Sequence, residues 1–353
     1  MEEAFASGLA QLGLSIGQVP NLARSVAFSS ELIANGRAQL GDQFAKINPE
    51  LDVVAFGSLA RYEMTEASDL DYLVVVYGFD EKPGVSRAAL KAAGELRKTI
   101  KKSGEIRAPG ATGVFGNMVS AIDLVEVIGL EDDTNRSHTR RILLLEESVS
   151  LYNPEKHLHL LTTILSRYLT AKPLGKTKIP RFLLNDLCRY WRTLTVDYQA
   201  KTETFPAHST RYLKLIMSRK FTFASSILPL FTLGIQATDS KFDAESEFLP
   251  KLVEIYSKPP IVRYLDAAAE LIRINPELAK PLAMSLLTVD KVNGLLGDQD
   301  WRDGLEAEAL RDDHAELPHF KTGRALAEEL QGSLEDVFFS AELRQYSQRY
   351  LVF

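Results

Sequence analysis

Phe56-Gly57-Ser58 is followed by ten residues and then by Asp69-Leu70-Asp71 at the head of an apolar run, Tyr72-Leu73-Val74-Val75-Val76. On a strand, residues i and i+2 project from the same face, so Asp69 and Asp71 leave the backbone together. Two carboxylates held that close repel each other unless a cation lies between them. A hard divalent ion such as Mg²⁺ accepts one or two carboxylates and takes its remaining oxygen ligands from water and substrate phosphates. The Gly57-Ser58 turn supplies the complementary chemistry. It offers backbone N–H groups, a hydroxyl, and a position without a side chain where a phosphate can approach the main chain. One element is suited to holding phosphate and the other to holding the metal that neutralises it, which together outline a site for nucleotidyl transfer.

The elements that position these groups can be read locally. Leu51-Asp-Val-Val-Ala-Phe56 is short, rich in strand formers and stopped by Gly57-Ser58, and Leu70 to Tyr77 is the most strand-like run in the chain. Upstream, residues 1–48 read as a helical lead-in, with Leu40, Phe44 and Ile47 on one face and Asn48-Pro49 as the stop. Downstream, Pro83-Gly84 breaks the chain, Val85 to Lys102 reads as a helix ended by Ser103-Gly104, and Glu105 to Gly116 reads as a short strand with a glycine-rich loop. Helix is expected to return near residue 120 and to dominate from there. Lys172 to Pro180 is the clearest linker. The expected organisation is a lead-in over 1–48, a catalytic β-containing domain over 49–150 and a mainly helical domain over 151–353.

The apolar-Gly-Ser turn, its spacer and the Asp-x-Asp between apolar residues resemble the signature of the DNA polymerase β-like nucleotidyltransferase superfamily. The likeness covers about residues 51–77 directly. It implies an α+β fold, a small mixed sheet with flanking helices, here followed by a mostly α-helical domain. It also implies transfer of a nucleoside monophosphate from an NTP, with ATP favoured, to a hydroxyl, with release of pyrophosphate. Asp69 and Asp71 would bind two Mg²⁺ ions, and Ser58 with its neighbouring N–H groups would hold the γ- or β-phosphate. Superfamily members usually carry a third carboxylate on a later strand, which activates the acceptor hydroxyl. Two residues compete for that place. Glu105, in Glu-Ile-Arg-Ala-Pro-Gly110, is similar to a segment of glutamine synthetase adenylyltransferases, with Glu for Asp and one residue fewer before the proline. Asp123, in Ala121-Ile-Asp-Leu-Val125, has the apolar flanks of a buried strand, or alternatively those of an acid in the first turn of a helix.

Further candidates surround this core. Arg61 is either in reach of a phosphate on the Gly-Ser turn or paired with Glu63 or Glu66, and Ser68 joins the nucleotide-binding set just ahead of the aspartates. In the helical part, Asp186, Arg189 and Arg192 recur within successive turns, and Arg211, Lys214 and Ser218 fall at i, i+3 and i+7 with Arg219 beside them. A triphosphate clamp would draw on Lys214, Ser218 and Arg219; the plain alternative is a solvated charged face. Phe182, Tyr190 and Trp191 read as core.

Composition bounds the function classes. The 353 residues are 45% hydrophobic and 25% charged, with a net charge of −6. That charge is unevenly spread: Arg167 to Lys220 holds twelve Lys/Arg against three acids. A basic segment in an acidic chain suits a polyanion, whether a triphosphate or a nucleic acid. The expected acceptor is a protein or small molecule, with an RNA-directed transferase or a cyclic-oligonucleotide synthase as the alternative, and a catalytically inactive nucleotide-binding module is the reading from another class. No run of eighteen apolar residues and no basic leader are present, and the single Cys188 cannot form an internal disulfide. These features imply a cytoplasmic protein without a membrane span. The six histidines lack zinc-ligand spacing.

Overall fold

The structure is a computed structural model that describes residues 1–44, 50–66, 68–77, 115–170, 178–202, 208–239, 247–309 and 316–352. The helix expected over 85–102, Glu105 with the loop through Gly113, and most of the 172–180 linker lie outside the described residues. The chain forms two compact units. One comprises Ser25–Pro173 and Asp243–Pro259, and the other comprises Met1–Arg24, Leu174–Phe242 and Pro260–Phe353.

The first unit is built on a four-stranded sheet. Its elements are α2 (Pro20–Phe44, which begins five residues before this unit), β1 (Leu51–Phe56), α3 (Gly57–Arg61), β2 (Asp71–Val76) and β3 (Met118–Ser120), then α4 (Ile122–Val125), α5 (Asn135–Glu146), β4 (Ser148–Ser150) and α6 (Pro154–Thr170). A helix α1 (Glu2–Gln11) precedes them in the chain. The strand order is β3-β2-β1-β4. β1 runs antiparallel to β2 and to β4, and β3 runs parallel to β2, so the sheet is mixed. The helical return expected near residue 120 is α4, directly after the short β3.

Every residue of β1 is buried, and so are Tyr72 to Val76 of β2. A strand covered on both faces loses the alternation of apolar and polar residues and reads as a continuous apolar run. Leu51, Val53 and Ala55 of β1 and Tyr72, Val74 and Val76 of β2 project to one face, where Ile33 and Leu40 of α2 pack on them with Leu59, Met64 and Leu151. The pairing Phe56↔Asp71, Val54↔Leu73 and Asp52↔Val75 defines the other face. A one-residue slip would exchange these two sets, so burial on both faces fixes the register that aligns Asp71 with the end of β1.

The second unit is helical. It includes α7 (Arg181–Thr202), α8 (His208–Lys214), α9 (Lys220–Asp239), α11 (Pro260–Ile274), α12 (Ala279–Gly297), α13 (Gln299–Ala309) and α14 (Pro318–Phe338), whereas α10 (Phe248–Tyr256) belongs to the sheet unit. Small sheet and helical remainder together make an α+β protein. The helical stretch Ser209–Thr238 is long and apolar enough to cross a membrane, but 78% of its most apolar window is buried, as in the central helix of a packed bundle. Tyr190 is buried and Trp191 stacks on Phe223 with ring centroids 5.4 Å apart, so these aromatics serve the interior of this unit.

Candidate active site

The turn between β1 and α3 is built around one backbone angle. Gly57 has φ +66, a conformation that costs an L-residue 1–2 kcal/mol or so and costs glycine nothing comparable. Phe56 is extended as β1 ends, and Gly57 swings the chain into the five-residue helix α3. Tyr62 ends α3 in the left-handed region at φ 60. The returning N–H groups of Tyr62 and Glu63 bond to the carbonyls of Leu59 (3.1 Å) and Ser58 (2.9 Å). Ser58 itself is half-buried at the mouth of the turn.

β2 brings its carboxylates to the same place. Phe56 pairs with Asp71, so Gly57 lies one residue beyond that row. A Cβ added to Gly57 would stand 3.2 Å from Asp71 Oδ2. The glycine therefore leaves space against the carboxylate that any side chain would take. Asp69 is exposed, Leu70 buried and Asp71 half-buried, which is the alternation expected if the two aspartates share a face. Phe56 and Phe115 meet with centroids 5.6 Å apart. This donor set fits a hard divalent cation: two carboxylate side chains, one exposed, with a main-chain turn free of a side chain beside the other. Among the described residues, no group of three or more His, Cys, Asp or Glu forms a fuller ligand set.

Arg61 departs from the phosphate-contacting role. It is 7% exposed and turned inward, its Nε donating to Glu63 Oε2 (2.8 Å) and its Nη1 to Glu147 Oε2 (2.5 Å). Burial by itself would lower the guanidinium pKa, but the Glu63 and Glu147 carboxylates outweigh it and hold the group above the ordinary arginine value. Nε and Nη1 of this guanidinium are thus already engaged by buried carboxylates. Of the two pairings weighed in sequence, the one with Glu63 forms.

Ser68 acts on the spacer loop. Its hydroxyl accepts from the N–H of Thr65 (3.1 Å), and its own N–H donates to the Thr65 carbonyl (3.0 Å). This closes a small turn just before Asp69 and orients the approach to the carboxylates.

The two third-carboxylate candidates part company. Asp123 stands in the first turn of α4 and is exposed, the helix alternative and not the strand. β3 runs alongside Val74–Val76, so the chain reaches Asp123 beyond the far end of β2. The five steps from Asp71 to Val76 alone span ~16 Å at strand rise, which removes Asp123 from the Asp71 end. Its charge instead faces Arg140 of α5, whose pKa is lowered by burial and by Arg136 and is raised again by Asp123. Glu105 lies outside the described residues. On β3 and its lead-in, the residues flanking the Asp71 end of β2 are Phe115, Gly116 and Asn117; Gly116 N–H donates to the Tyr72 carbonyl (2.7 Å), and the Asn117 carbonyl accepts from Val74 N–H (3.0 Å).

Lys214, Ser218 and Arg219 belong to the helical unit. Leu215–Arg219 is a π-helical turn between α8 and α9. The wider turn breaks the i, i+3, i+7 alignment expected for Arg211, Lys214 and Ser218 on a regular helix. Lys214 is exposed, whereas Ser218 and Arg219 are half-buried.

Three residues were passed over in sequence. Asp52 sits inside β1 and is fully buried; its Oδ1 accepts from Ser150 Oγ (2.9 Å), Asn153 N–H (2.8 Å) and Tyr152 N–H (3.2 Å), tying the strand to the start of α6. Burial pushes its pKa up to about 7 against the opposing pull of these hydrogen bonds. Its signal was a lone charge in an otherwise apolar strand. Glu147 is the second, an acid at the C-terminal end of α5, where the helix dipole disfavours it unless another partner holds it. His157 is the third; it is 8% exposed, bonded through Nε2 to Ser148 Oγ (2.8 Å), and depressed to about 4 by burial and by Arg37.

A mixed sheet with a glycine turn set against an aspartate pair defines a nucleotidyltransferase-type core. Residues 38–160 match the family model for the nucleotidyltransferase domain, a match that supports the polymerase β-like nucleotidyltransferase superfamily for this segment. No curated protein matches the chain.

Proposed function

We propose that the protein transfers a nucleoside monophosphate from an NTP, with ATP favoured, to a hydroxyl of a protein or small molecule, releasing pyrophosphate. The observation that carries this reading is the approach of Gly57 to Asp71, where an added Cβ would lie 3.2 Å from the carboxylate. It sets a bare main-chain turn, suited to phosphate, directly against a metal-binding side chain.

In this reading Asp69 and Asp71 hold Mg²⁺, which when bound neutralises the triphosphate and lowers the pKa of the acceptor hydroxyl. Ser58 and the adjoining N–H groups orient the β- or γ-phosphate so that the leaving pyrophosphate departs along a fixed line. Glu105 accepts the proton of the attacking hydroxyl.

The test is incubation of the protein with Mg²⁺ and each α-³²P-labelled NTP in turn, with and without cell extract. Label transferred to protein or to a small molecule supports the reading and identifies the acceptor class. Label in RNA would replace the acceptor assignment, and no transfer from any NTP would overturn the activity.

A further inference from the structure

α3 is too short to hold its own direction. Five residues close hardly more than one helical turn, and an isolated turn of that length is unstable. Yet the function proposed above needs the Gly57–Ser58 main chain fixed against Asp71. Something outside the helix must therefore impose its orientation.

The sheet register shows where that restraint is attached. Asp71, Phe56 and Ser148 form one row across β2, β1 and β4. One residue further out stand Gly57, just past the end of β1, and Glu147, just before β4. Thus the turn is flanked by Asp71 on one side and by Glu147 on the other. Arg61 closes α3 and reaches across to Glu147 at 2.5 Å, while Glu63, just beyond the left-handed Tyr62, takes its Nε at 2.8 Å. Both carboxylates and the guanidinium are buried, with side-chain exposures of 9% or less. Glu147 is itself anchored, because its N–H caps α5 on the Leu143 carbonyl at 2.9 Å. The strap therefore runs from the end of α3 to an element already fixed by the sheet.

The geometry points to Arg61 and Glu147 as positioning residues for nucleotide binding, which hold the Gly57–Ser58 turn in register with Asp71 without either of them touching the phosphate. This rests on the nucleotidyltransferase reading for its ligand, but not for its structural half. It also reverses the expected sign of one substitution. If Arg61 were a phosphate ligand, removing Glu147 would release it and leave nucleotide binding intact or tighter. If Arg61 acts through the strap, removing Glu147 weakens binding.

The variants follow from the charge balance. Neutralising Arg61 would strand two buried carboxylates and threaten the fold, so it is avoided. Glu147→Ala leaves the Arg61–Glu63 pair balanced, Glu147→Gln keeps an oxygen that accepts from Arg61, and Arg61→Lys keeps the charge but loses the fork that spans both partners. Hydrogen exchange of the free proteins is the first measurement. Faster exchange at Tyr62 and Glu63 in Glu147→Ala, with β1 and β2 unchanged and protection restored in Glu147→Gln, supports the strap; unaltered exchange at residues 57–63 in both Glu147→Ala and Arg61→Lys overturns it.

The second measurement is the affinity of each variant for α,β-methylene-ATP with Mg²⁺. An orienting partner of a ligating group is worth ~10-fold or more, so Glu147→Ala should bind about that much more weakly, with Glu147→Gln close to the unaltered protein. Unchanged or tighter binding in Glu147→Ala returns Arg61 to the phosphate and overturns the proposal. If exchange responds as expected while the unaltered protein binds no nucleotide, the strap stands and the nucleotidyltransferase reading falls.

Discussion

Gly57 and Asp71 meet across the end of the β1–β2 pair so closely that a side chain at Gly57 would press on the carboxylate. Gly57 holds φ +66, and a Cβ there would lie 3.2 Å from Asp71 Oδ2. Gly57→Ala therefore pays twice, through a backbone angle that disfavours L-residues and through pressure on the carboxylate. The angle alone costs about 1–2 kcal/mol. We expect a loss of stability of that size in chemical denaturation, together with a fall in Mg²⁺-dependent nucleotidyl transfer that exceeds what unfolding explains. Full turnover in a folded Gly57→Ala protein would separate the turn from the chemistry.

Asp69 is exposed and Asp71 half-buried, so neither contributes much packing. The double substitution Asp69→Asn, Asp71→Asn removes both charges while keeping size. The expected outcome is abolition of Mg²⁺-dependent transfer with an unfolding midpoint no lower than that of the unaltered protein. Isothermal titration with Mg²⁺ and an NTP analogue should show the matching loss of metal-dependent binding. Retained turnover would remove the pair from the reaction.

The two central strands were legible because their sequence is local. Leu51–Phe56 and Asp71–Val76 are short apolar runs stopped by punctuating residues, and such runs declare themselves without knowledge of the rest of the chain. What sequence could not supply was register between distant strands. Asp123 carries apolar flanks that suit a buried strand or the start of a helix equally well. Only the parallel pairing of β3 with Val74–Val76 shows that it leaves the sheet at the wrong end. Arg61 illustrates a second limit. Its partner Glu147 is 86 residues away, and nothing within the Gly-Ser segment reveals that the guanidinium is already engaged. The π-turn at Leu215–Arg219 is a third case, since one extra residue in a turn shifts every helical face beyond it.

The position of Asp123 yields a comparison with Glu105. Asp123→Asn should leave transfer within about twofold of the unaltered rate, because it stands at the opposite end of the sheet from Asp71. If Glu105 takes the acceptor proton, Glu105→Gln should depress turnover by ~10²-fold or more and leave NTP binding nearly unchanged. Single-turnover rates and equilibrium binding distinguish the two effects. A large loss in Asp123→Asn with Glu105→Gln active would contradict the register argument.

Two buried groups in the sheet unit titrate with opposite consequences for stability. Asp52 is raised from 3.8 to about 7 in the fold, so the folded protein keeps a proton that the unfolded chain gives up. Its contribution is complete below pH 3.8 and is lost as pH rises toward 7. His157 is lowered from 6.5 to about 4, so the unfolded chain takes a proton that the folded protein refuses. Its contribution is complete above pH 6.5 and is lost as pH falls toward 4. Between roughly pH 4.5 and 6 each group is linked to one proton, with slopes of about −1.4 and +1.4 kcal/mol per pH unit respectively, and the two oppose each other. Asp52→Asn should therefore expose the His157 slope, making stability rise with pH across this window relative to the unaltered protein. His157→Gln, which can still bond to Ser148, should expose the Asp52 slope and tilt the difference the other way. Urea denaturation at pH 5 and pH 6 is the measurement. Difference curves that run flat or tilt in the same direction would show that these carboxyl and imidazole groups are not the proton-linked pair.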